Sequence, residues 1–190
     1  MEEKFSNRPL YDYTSRLRLT LKAWPVIAAA TIGLCYLTQT VAKWFGIELP
    51  DQANIELVKR CAGWNKTFIL LCAQVLVLMP ALEELLFRGL LFKLPQKLFD
   101  ARRKTGDLQE TQDTRHKAGV IAFAILSSTL FSAAHYLAQP WPDAAFIALF
   151  FFGLAQCWLY KKTGHIWCAI LNHALFNLTN LVLLFVLPEA

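Results

Sequence analysis

Within ALEELLFRGLLF (Ala81–Phe92), an otherwise apolar run carries Glu83, Glu84 and Arg88. Glu84 and Arg88 are four residues apart, about 40° apart on a helical wheel, and can pair. Glu83 and Arg88 are about 140° apart and pair poorly. Glu84–Arg88 therefore reads as a structural ion pair, which leaves Glu83 without a local cation. Two more polar constellations interrupt apolar runs. One is FSAAH (Phe131–His135). The other is GHIWCAILNHALFN (Gly164–Asn177), which puts His173 and Asn177 four apart on one helical face. A carboxylate withdrawn from bulk water is a candidate general base toward water, and a histidine can share that water or carry its proton. A second histidine and an amide N–H can stabilise a developing oxyanion. Together these groups make a hydrolytic site for an amide bond. Glutamate plus two histidines with an open position is also a catalytic zinc set. The sequence has no H-E-x-x-H to select a metal, and no cofactor is expected.

The elements that must position these groups belong in lipid. Of 190 residues, 56% are hydrophobic and only 17% charged, against about 25% charged in a soluble domain. Five apolar runs, at 23–45, 67–92, 119–138, 144–160 and 165–187, approach the roughly 20 residues a crossing helix needs. The expected fold is all-α: a polytopic bundle of about five transmembrane spans in one domain covering 1–190. Pro80 inside the second run predicts a kink or local unwinding. All six tryptophans fall near run ends, where aromatic belts form.

Lys and Arg number five in residues 1–22, seven in 93–118 and two in 161–164, against three in 46–66 and none in 139–143 or 188–190. This imbalance places the N-terminus in the cytoplasm of a multi-pass protein of the plasma (inner) membrane. The net charge of +5 reports that orientation. No nucleic-acid-binding pattern accompanies it, and the expected surroundings are a lipid bilayer. Segment 93–118 reads as a solvated loop that sets topology. The five cysteines are an odd number without C-x-x-C spacing, and they read as small apolar residues.

A charge at the centre of a membrane helix costs about 2.5–3.5 kcal/mol. The bland alternative is that all three charges of the second run sit at the interface. Arg88 is about 6 Å of helix from Phe92 and can snorkel there. Glu83 is about 14 Å in, too deep for a short side chain. His173 and Asn177 come out at about 12 and 18 Å from the same side, and His135 near 24 Å. That last depth is a mismatch for helix tilt to absorb. Gln156, Asn172 and Asn180 read as helix–helix contacts. Phe131 is expected beside the site, and His165 at the interface.

EELLFR (Glu83–Arg88), FSAAH and HALFN (His173–Asn177) resemble the ordered motifs EExxxR, FxxxH and HxxxN. These mark the CAAX-protease and bacteriocin-processing (CPBP, or Abi) family of intramembrane endopeptidases, which includes the type II CAAX prenyl endopeptidase. The resemblance covers about residues 68–180. It implies a membrane-associated peptide or protein substrate. Glu83 would activate the water with His135, His173 and Asn177 would form the oxyanion hole, and Glu84 and Arg88 would support them. Five spans is fewer than the well-described CAAX endopeptidases carry, so a prenylated substrate does not follow. Two rivals use the same residues: a catalytically silent scaffold or immunity protein, and a small transporter with Glu83 in a proton relay. No repeated halves of the transporter kind are visible.

Overall fold

The computed structural model describes residues 12–49, 58–63, 65–95, 109–136 and 145–186, with backbone alone for 109–116 and 136. Among the described residues there is no strand. Five long helices follow one another: α1 (Tyr13–Trp44), α2 (Lys66–Lys93), α3 (Gln109–Tyr136), α4 (Ala145–Thr163) and α5 (Ile166–Val186).

Local chemistry sets the ends. Asp12 caps α1 by accepting from the backbone N–H of Thr14 (3.1 Å) and Ser15 (2.7 Å), supplying partners for donors the first turn leaves free. The helix thus starts ten residues before the apolar run, and hydropathy does not set that boundary. Gly46 ends it with φ +69, a conformation that costs glycine little. Asn65 caps α2 through Phe68 N–H (2.9 Å). Gly164, also at φ +69, turns α4 directly into α5.

Four stretches are long and apolar enough to cross a bilayer: Tyr13–Trp44, Lys66–Lys93, Lys117–His135 and Ile166–Val186. The fourth apolar run is not among them: α4 is long enough, but its last turn carries Lys161 and Lys162. Its surroundings are protein: α4 packs against α1, α2, α3 and α5, and Phe152, Gln156 and Leu159 are buried between them. The reverse holds for α2, whose Leu70, Val77, Leu78, Leu82, Leu85 and Leu86 are exposed. An unbroken apolar face of that kind belongs in lipid.

Segment 93–118 departs from its reading as a loop: its residues 109–118 are the first turns of α3. Gln, Glu, Arg, Lys and Ala dominate there, and all favour helix without any apolar face. Residues 96–108 lie outside the described part. So do Trp64 and Trp141.

Tyr13 stacks on Trp167 with centroids 5.1 Å apart, and Lys93 Nζ lies 5.1 Å over the Tyr160 ring. The start of α1, the end of α2, the end of α4 and the start of α5 therefore share one end of the bundle. At mid-height α3 and α4 cross closely at Gly153. A Cβ there would meet Ser128 Cβ at 2.9 Å, so only glycine permits this approach. The five cysteines are all free thiols.

The second helix is not a uniform α-helix. Lys66–Ala73 and Met79–Glu84 are α-helical, whereas Gln74–Leu78 and Leu85–Lys93 are π-helical. The unwinding expected at Pro80 takes this form: a wider turn just before the ring, which relieves its clash with the carbonyl four residues back. Both glutamates sit on the short α segment between the two π stretches.

Candidate active site

Glu84 is the anchor. Its carboxylate is fully buried, and Oε1 accepts from Arg88 Nη1 (3.1 Å), Gln156 Nε2 (3.3 Å) and His173 Nδ1 (2.9 Å). Three helices converge on this one oxygen. The wheel pairing of Glu84 with Arg88 holds, both at 0% exposure. A buried ion pair persists only when further hydrogen bonds offset its desolvation. Arg88 Nη2 donates to Gly153 O (3.3 Å), and the guanidinium carbon lies 4.4 Å over the Phe131 ring. The Gly153 crossing thus brings a backbone carbonyl within reach of Arg88.

Glu83, one residue back, points to a different set of groups. Its Oε2 is 3.6 Å from His173 Nε2 and 3.8 Å from His135 Nε2. His135 Nδ1 lies 2.9 Å from Phe131 O. A carbonyl only accepts, so that nitrogen carries the proton. The same reasoning puts a proton on His173 Nδ1, because Glu84 is an ionised acceptor paired with Arg88. Both rings therefore turn Nε2 toward Glu83 with their Nδ1–H groups already engaged. Aromatic contacts hold the rings: Phe131 stands 4.6 Å from His135, and Phe152 meets His173 edge-on at 5.1 Å. Side-chain exposure rises from 4% at His173 through 17% at Glu83 to 28% at His135. The site is therefore most open on the α3 side.

The depth mismatch of His135 disappears in the structure. His135 Nε2 lies 3.8 Å from Glu83 Oε2, so the two groups share one depth, and counting from the edge of the apolar run misplaces it.

Asn177 is on the expected face of α5, but its Nδ2 donates to Val75 O at 2.9 Å. Val75 lies in the first π stretch of α2. Gln156 is more than a helix–helix contact: it bridges Glu84 and the carbonyl of Ala169 (3.0 Å). In the sequence its signal is a glutamine within the apolar run 144–160. Asn172 is buried beside His173 in sequence. Asn180 bonds back to Phe176 O in its own helix (3.0 Å), not to a neighbouring one. His165 is exposed at the start of α5. Among the described residues, no group of three His, Cys, Asp or Glu is arranged to hold a metal ion.

The sequence profile of the type II CAAX prenyl endopeptidase Rce1-like family matches residues 65–179. The chain belongs to this family. The Rce1-like match runs from the cap of α2 into the last turns of α5 and contains Glu83, Glu84, Arg88, His135, His173 and Asn177. Of the long helices, only α1 lies wholly outside it. The Rce1-like family is one of peptidases, and its apolar helices make this member an integral membrane protein. No curated protein and no solved structure matches the chain.

Proposed function

We propose that this protein is an intramembrane endopeptidase in which Glu83 activates the water that hydrolyses a peptide bond. One observation carries the reading: His135 Nε2 and His173 Nε2 flank Glu83 Oε2 at 3.8 and 3.6 Å, while the neighbouring Glu84 is neutralised by Arg88. Those separations exceed direct hydrogen bonds and suit groups that meet through a shared water. Glu83 takes a proton as the water oxygen bonds the scissile carbonyl carbon. His135, the most exposed of the three, orients that water. The tetrahedral intermediate then collapses as Glu83 returns the proton to the departing amine nitrogen. His173, held through its Nδ1–H on Glu84 at 2.9 Å, lines the oxyanion side of the site.

The substrate is a membrane-associated peptide or protein that reaches the site from the bilayer. Neither a prenyl group nor a cofactor enters the proposal. The end of the bundle carrying Tyr13, Lys93 and Tyr160 faces the cytoplasm of the inner membrane, as the Lys and Arg excess requires.

The test is cleavage of a panel of membrane peptides by purified protein in detergent. Glu83→Ala and His135→Ala abolish product formation while both variants accumulate in membranes at wild-type levels. Full activity in the Glu83→Ala protein sinks the mechanism. Cellular function that survives Glu83→Gln points instead to a silent scaffold.

A further inference from the structure

The first π stretch of α2 poses a backbone problem. In a helix, Val75 O should accept from an N–H four or five residues ahead. Four ahead is Met79, whose N–H goes to Gln74 O. Five ahead is Pro80, which has no N–H. Both donors of its own helix are therefore denied to Val75 O. The Asn177 amide fills the gap from across the bundle at 2.9 Å. In lipid no water is at hand to do so, and an unpaired carbonyl there is costly.

The turn type sets the direction of every side chain beyond it. A π turn holds one more residue than an α turn, so returning to the α register rotates everything downstream by about 100°. Glu83 is three residues past Pro80. A rotation of that size swings its carboxylate off His135 and His173. Without Asn177 the α register gains appeal, because Met79 N–H could then serve Val75 O.

We propose that Asn177 is a positioning residue: it replaces the backbone donor that Pro80 removes and so holds α2 in the register that turns Glu83 toward the two histidines. This rests on the Glu83 reading for its catalytic consequence. Its structural content stands apart from that reading.

A double-variant cycle tests it. Pro80→Ala restores an N–H five residues beyond Val75, which can serve that carbonyl within the π register. Asn177→Ala alone lowers kcat by about 10²-fold, the scale of a misplaced catalytic group, with KM little changed. It also lowers the thermal midpoint in detergent by ~2–10 °C. Asn177→Leu keeps the size and removes the donor, and behaves like Asn177→Ala. In the Pro80→Ala background, Asn177→Ala loses no more than about twofold in kcat and its midpoint shift vanishes. Equal kcat losses in both backgrounds mean that Asn177 acts on the substrate itself, and overturn the proposal. If Pro80→Ala does not accumulate, the native background decides: unchanged midpoints in Asn177→Ala and Asn177→Leu refute the latch. Failure of the Glu83 mechanism shows separately, as Glu83→Gln activity, and leaves the thermal cycle able to judge Asn177.

Discussion

Replacing Arg88 by methionine removes the guanidinium that balances Glu84, both side chains being at 0% exposure. Two neutral-side donors remain on the carboxylate, Gln156 at 3.3 Å and His173 at 2.9 Å. Water cannot take over, because neither partner has a solvent-accessible face. Breaking a buried pair by deleting one member costs about 3–5 kcal/mol, since the survivor stays charged and uncompensated. The bond to Gly153 O and the face of Phe131 are lost too. The pair term is the larger, because a cation over a ring is worth only about 0.5–2 kcal/mol. In a chain of this length, 3–5 kcal/mol lowers the thermal midpoint by about 6–20 °C. The assay is unfolding of purified protein in mixed micelles, followed by helicity. Glu84→Gln combined with Arg88→Met leaves two neutral side chains and recovers part of the loss, a non-additivity of about 2 kcal/mol. A cost below about 1 kcal/mol for Arg88→Met is what an exposed pair gives. That result, with no recovery in the double variant, refutes the buried-anchor reasoning.

Gly153→Ala puts a Cβ 2.9 Å from Ser128 Cβ and 3.0 Å from its backbone Cα, which no rotamer change relieves. It costs about 1–3 kcal/mol by micellar unfolding, and Ser128→Gly in the same chain recovers most of it. Ser127→Ala removes the 2.7 Å bond to Phe87 O in the second π stretch and costs about 1–3 kcal/mol in the same assay. The Asp12 carboxyl is held below its usual 3.8, first by the Ser15 hydroxyl and then by the Ser15 backbone N–H. Its capping contribution is therefore complete above the unfolded value and is lost as pH falls through the lower folded one. Amide protection at Thr14 and Ser15, corrected for intrinsic exchange, should persist at pH 3.8 and fail only below it.

The Glu84–Arg88 pair was legible because i, i+4 neighbours still meet although the helix changes type between them. The convergence of Glu83, His135 and His173 was legible from cost: each polar group in an apolar run needs partners. Helix starts were not legible from hydropathy, since α1 begins at an aspartate cap and α3 in a polar stretch of helix-forming residues. Pro80 announced a disturbance, but its form was not readable. That form depends on whether the carbonyl it strands finds a donor, and the donor is 102 residues away in the chain. For the same reason the wheel placed Asn177 on the right face and could not name its partner. The crossing status of α4 depends on the helices around it, which no local window contains.

The decisive measurement is kcat of purified Glu83→Gln against wild type on a cleaved membrane peptide, each with and without a zinc chelator. Glutamine keeps the shape of Glu83 and cannot take the proton. A loss of about 10²–10⁴-fold, with wild-type turnover indifferent to the chelator, is expected of a glutamate-activated water. Turnover in Glu83→Gln within a few-fold of wild type contradicts it.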